Sequence, residues 1–139
     1  MFKVILENGE EINFKPTKKC FTDTIEFLEN EAKTNDNFHK NISKYKVVHA
    51  ICRAIDGYYS HAWVEVEESN GEITIIDSKI FNNEKVYCFL QTRDEYYKGL
   101  KVKEFKKYTV QEVVYLNIKY ETYGPWEERF LKLCSDYKK

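Results

Sequence analysis

The sequence predicts an α+β domain: a mainly antiparallel β-sheet with a cysteine-bearing helix packed on it. Three observations predict it. Runs of β-branched and aromatic residues flank Asn-Gly and Asp-Gly pairs, one early segment repeats its apolar residues at helical spacing, and the last third carries helix start and stop signals around a Gly-Pro pair. A chain of 139 residues has the length of one ordinary core, so residues 1–139 are expected to form a single domain. Its 42% hydrophobic content, with 11 Tyr and 9 Phe, is more than a disordered chain carries.

Each element follows from local chemistry. FKVIL and EINF flank Glu7-Asn8-Gly9-Glu10, which predicts a hairpin over 2–14 because Asn and Gly tolerate positive φ. From Cys20 onward, Phe21, Ile25, Leu28 and Ala32 line one helical face, so a helix spans 20–33 with Thr17 or Cys20 at its N-cap. KTNDNFHKNISKY is polar and aperiodic and reads as a loop. KVVHAICRAI and YSHAWVEVE form a second hairpin turning at Asp56-Gly57, and SNG leads into EITIIDS to complete a three-stranded meander. EKVYCFLQT follows as a fourth strand, and DEYYKGL as a short helical turn ending at Gly99. Thr109 and Glu112 stand at capping-box spacing, which starts a helix near 110. Gly124-Pro125 then ends that helix and opens another, with Pro in its first turn and Trp126, Phe130, Leu133 and Tyr137 on one face. The C-terminal strand and helices thus cover 84–137.

The charge balance excludes several functions. Twenty-two Lys and Arg against 23 Asp and Glu leave a net charge of −1, so no overall field draws nucleic acid or an anionic membrane surface. No window approaches the roughly 18 apolar residues of a membrane span, and no export signal opens the chain, so a soluble cytoplasmic protein is expected. Cys20, Cys52, Cys88 and Cys134 are widely spaced with no CxxC pair, and His39 and His49 have no partners at ligand spacing. Reduced thiols are expected, with no metal and no cofactor.

A cysteine in the first turn of a helix has its thiolate favoured by unpaired amides and the helix dipole, and Lys18 and Lys19 add to that beside Cys20. Such a nucleophile needs a base and a group to orient the base, and His61 and Asp77 are the candidates. Their meeting depends on loop length. If Ser69-Asn70-Gly71 is a three-residue loop, Glu68 faces Glu72, Asp77 lies opposite Trp63, and His61 and Asp77 become diagonal neighbours on one face. A two-residue Asn70-Gly71 turn pairs Asp77 with Val64 on the opposite face instead. Trp63 shares the His61 face and is the candidate substrate-binding wall, or a purely structural side chain. Cys52 competes as nucleophile: an Asp56-Gly57 turn sets Ile55 across from Tyr58 and Cys52 across from His61, though a mid-strand thiol lacks the helix-end field. Taken singly, Cys20 reads first as an inert buried thiol and His61 as a hydrogen-bonded strand residue, and Asp77 can simply cap a turn; the three together in order favour the thiol site. The run Glu65, Glu67 and Glu68 reads as the solvated end of a strand.

A cysteine at a helix start, then HAWVEV on a strand, then an aspartate one hairpin later resembles the transglutaminase-like core of the papain-like thiol enzymes, over residues 17–80. The resemblance implies Cys20 as nucleophile, His61 as general base and acid, and Asp77 as the orienting group. It further implies a cysteine peptidase, amidase, deamidase or acyltransferase acting on a protein, a peptide or a small amide or thioester, or an inactive relative that only binds. Lys19 and Phe21 flank Cys20 where that family commonly has a small residue before the nucleophile and often Trp after it.

Overall fold

The computed structural model describes residues 2–5, 9, 11–16, 19–90 and 93–134. Asn8 of the expected first turn, the cap candidate Thr17, Lys18 and the face residue Tyr137 lie outside the described residues. The protein is α+β, with an antiparallel sheet and helices packed on it. The leading hairpin pairs β1 (Phe2–Ile5) with β2 (Glu11–Pro16), and Gly9 has the positive φ of +87° that a tight reversal requires. Helix α1 (Cys20–Thr34) follows. The meander then runs through β3 (Tyr45–Ala54), β4 (Gly57–Glu67), β5 (Ile73–Phe81) and β6 (Glu84–Leu90).

Helix α2 (Arg93–Leu100), β7 (Glu104–Thr109), α3 (Val110–Tyr120) and the single turn α4 (Glu128–Leu131) complete the chain. Among the described residues the strand order is β1-β2-β5-β4-β3-β7, with β6 also on β5. Because β6 pairs with Ile75–Phe81 of β5, the opposite edge of β5 must be shared. β4 holds Ile73–Ile76 there, and β2 holds Lys79 and Ile80. The sheet therefore branches at Asp77 and Ser78.

Both faces of the sheet are covered, which is why β3 reads as a nearly continuous apolar run. On one face Ile25 and Leu28 of α1 pack with Val47, Val64 and Ile76. On the other, Tyr96, Tyr97 and Leu100 of α2 pack against Val48, Ala50, Cys52, Trp63 and Ile75. Burying each large apolar side chain contributes about 1.5–3 kcal/mol. Ala32, the last residue of the expected α1 stripe, is exposed, since the helix has by then run past the sheet.

Three further expectations need correction. The β3–β4 pairing sets Ala54 opposite Gly57 and Cys52 opposite Tyr59, so Ile55-Asp56 is the two-residue turn, and Ala50 rather than Cys52 faces His61. That change of register leaves every side chain on its own face, so hydrophobic patterning does not choose between the two pairings. The strand start at φ +139° falls to Gly57. β7 had no counterpart among the expected strands; it is a lysine-rich edge strand pairing with β3, and its charge obscures its alternation. Pro125 follows a cis bond to Gly124 and precedes a helix that starts only at Glu128, so neither Pro125 nor Trp126 is helical. Trp126 instead stacks on His49 with centroids 5.2 Å apart. The capping box at Thr109 and Glu112 forms as its spacing requires.

His49 is buried among Phe21, Tyr108 and Trp126, and neither ring nitrogen has a hydrogen-bond partner among the described residues. Burial, with a smaller contribution from Lys106, pushes its pKa down to about 3. The unfolded chain binds a proton below about pH 6.5 that the folded chain refuses until about pH 3, so stability falls on acidification across that window. The expected slope is about 1.4 kcal/mol per pH unit, or about 2 kcal/mol lost by pH 5, and urea titrations of the protein and of His49→Phe at several pH values will read it. Gly124 has φ +107°, and a Cβ there would lie 3.0 Å from His49 Cε1. Gly124→Ala is expected to cost about 1–3 kcal/mol by the same measurement.

Candidate active site

The loop after β4 holds three residues. Glu68 N donates to Glu72 O at 2.7 Å, Gly71 N to Glu68 O at 2.9 Å, and Gly71 takes φ +87°. The resulting register pairs Val64 with Ile76 and, continued by one residue, sets Trp63 across from Asp77. His61 shares that face by strand alternation. The two side chains meet: His61 Nε2 lies 3.0 Å from Asp77 Oδ2, with both groups buried.

Asp77 Oδ2 also accepts from Lys79 Nζ at 2.9 Å and from the Tyr96 hydroxyl of α2, whereas Oδ1 has no partner among the described residues. Burial alone would raise the pKa of this carboxyl. The charge and hydrogen bond of His61, with Lys79 and Tyr96, outweigh that and hold Asp77 well below the usual carboxylate range. Nε2 is thereby committed to Asp77, and Nδ1 is the ring nitrogen that the carboxylate does not engage.

Cys20 is the first residue of α1, and its N-cap, Lys19, makes no side-chain cap bond. The amides of the first turn therefore retain their positive field. The thiol is 5% exposed and shares a buried cluster with Phe21, Ala62 and Cys134. Ala62 follows His61 on β4 and by alternation faces the other side of the sheet, the side on which α1 packs, so the helix does not cross the His61 face, contrary to expectation. Tyr59 reports the proximity of Cys20 to β4: burial pushes its phenol up to about 12, with smaller contributions from Cys52, Asp77 and Cys20. The paired part of β2 ends at Pro16 across from Lys79, so α1 starts at the branch of the sheet.

Trp63 is fully buried, edge-on to Tyr96 at 5.2 Å and Tyr97 at 5.4 Å, and donates to Glu65 Oε2 at 2.9 Å. It backs His61, with ring centroids 5.7 Å apart, and is buried, as the structural alternative for this side chain has it. Burial pushes the Cys52 thiol up to about 12, and Cys88 is also raised by burial, so neither is poised as a nucleophile near neutral pH.

Sequence reasoning missed six participants. Lys79 and Tyr96 bind Asp77. Arg93 and Lys107 bind Glu65, which is buried rather than solvated as expected, while Glu67 and Glu68 are exposed. Glu65 also accepts from Tyr97, and these donors hold its carboxyl low against its burial. Strand parity with His61 and Trp63 was the available signal for Glu65. Among the described residues no group of three or more His, Cys, Asp and Glu can hold a metal ion. No helix among them is long and apolar enough to cross a membrane. Surface depressions of about 700 Å³ between α1 and β6, and about 390 Å³ beside the β3–β4 turn, are lined by other residues than Cys20, His61 and Asp77.

No family model, curated protein or solved structure matches the chain. Asp77→Ala leaves Lys79 buried without its counter-charge and His61 without its acceptor, so unfolding free energy is expected to fall by about 3–5 kcal/mol in urea titration.

Proposed function

We propose that the chain is a cysteine-dependent acyl-transfer enzyme with a transglutaminase-like, papain-like core, in which Cys20, His61 and Asp77 act as thiol, imidazole and carboxylate. One observation supports the reading: a buried Asp77 holds His61 through Nε2, and the first turn of the helix that begins with Cys20 reaches Ser78, the residue after Asp77, through Asp23. The Cys20 thiolate attacks an amide or thioester carbonyl, and His61 accepts the thiol proton and returns it to the leaving group. The backbone amide of Cys20 is one donor to the oxyanion. Water then releases the acyl group, with His61 as base. Hydrolysis is favoured over transfer to an amine because water needs no second binding site. The substrate is a protein, a peptide or a small amide or thioester, and no cofactor takes part. Four widely spaced cysteines with no CxxC pair fit a reducing compartment such as the cytoplasm.

A second reading, a non-catalytic binding module on the same fold, draws on the low exposure of Cys20 and on the position of both surface depressions away from it.

Iodoacetamide labelling separates the two. At pH 7 an ordinary thiol is only a few per cent ionised, so a Cys20 held as thiolate is expected to react about 10-fold faster than a free model thiol, after allowing for its lower nucleophilicity. Peptide mapping should find Cys52 and Cys88 slow, and His61→Ala should return Cys20 to the model rate. A Cys20 that reacts no faster than the model thiol overturns the enzyme reading.

A further inference from the structure

The Tyr96 hydroxyl stands at the junction of His61 and Asp77, although it comes from an element that local sequence does not link to either. It donates to Asp77 Oδ2 and lies 3.4 Å from His61 Nε2, with its ring edge-on to Trp63. Counting hydrogens fixes the pattern. An ionised carboxylate only accepts, and the single Tyr96 hydrogen goes to Asp77, so Nε2 faces two acceptors, a carboxylate oxygen and a phenol oxygen. Nε2 must therefore carry its hydrogen, which leaves Nδ1 bare in the neutral ring.

The same oxygen of Asp77 takes hydrogens from His61, Lys79 and Tyr96, while Oδ1 takes none from the described residues. Donors that share one acceptor compete for its charge. Every increment of hydrogen bonding from Tyr96 thus weakens the hold of Asp77 on the imidazole. The groups around His61 are Asp77 and Lys79 on β5, Cys88 opposite Asp77 on β6, Tyr59 on β4 with Cys52 of β3 opposite it, and Tyr96 on α2; Cys20 at the start of α1 lies against Ala62, the next residue of β4.

We propose that Tyr96 is a positioning residue that acts on His61 through Asp77, by competing for Oδ2 and confining the Nε2 hydrogen between two acceptors. Its functional meaning, setting how readily Nδ1 takes a proton from Cys20, rests on the thiol-triad reading. The competition itself does not.

The test is the proton NMR resonance of His61 Nε2–H in the full-length protein, assigned by its loss in His61→Gln. In Tyr96→Phe the competing donor is gone, the Nε2–H···Oδ2 bond tightens, and the resonance moves downfield. With 3-fluorotyrosine introduced at position 96 alone, a stronger donor in an almost unchanged volume, the resonance moves upfield. A packing role does not produce shifts of opposite sign, and the fluorinated variant keeps the test available if Tyr96→Phe fails to fold. A resonance unmoved by fluorination, or two shifts of the same sign, overturns the proposal. Iodoacetamide rates on the same samples keep the two readings distinct: signed shifts with an ordinary Cys20 rate retain Tyr96 and dismiss the triad, and unmoved shifts with a fast Cys20 do the reverse.

Discussion

A carboxylate shut off from water must be met by donors or give up its charge, and Asp77 is met from β4, β5 and α2 at once. Its position on the sheet makes this possible. At Asp77 and Ser78 the strand has lost β4 and has not yet gained β2, so one edge is open to something other than a strand. The first turn of α1 occupies it: Asp23 accepts from Ser78 Oγ at 2.9 Å, and Tyr87 donates to Asp23 O at 3.1 Å. The start of the cysteine-bearing helix is thus anchored at this gap in the ladder, next to Asp77.

Features governed by adjacent residues were legible in the sequence. The Thr109 capping box, the left-handed Gly71 and the apolar spacing of α1 each follow from chemistry within a few positions. The pairing of His61 with Asp77 was legible for the same reason, because loop length and parity determine it. What escaped depends on tertiary context. β7 is recognisable as a strand only once β3 offers it an edge, and Trp126 leaves its expected helix because a buried imidazole needs covering. Lys79 lies two residues from Asp77 on the same face and was within reach of parity reasoning. Tyr96 was not, since no local rule docks α2 over this end of the sheet.

The docking of α2 is itself polar at its centre. None of its residues is fully buried, and it is tied down at two carboxylates, Asp77 through Tyr96 and Glu65 through Arg93 and Tyr97. Both carboxylates are held ionised against their burial, so the helix rests on charges that the sheet cannot leave unmet. The shape of this face and the protonation state of its acids are thereby linked.

The loop at Ser69-Asn70-Gly71 touches neither His61 nor Asp77, yet its length sets the phase between their strands. With one residue fewer, every side chain of β5 would turn to the other face, and the site would vanish while all its residues remained in the chain. A distant relative could keep the histidine and the aspartate and lose their contact, or change most of the loop and retain it. Kinship of this site is better sought in the spacing between the two strands than in the identity of the residues that join them.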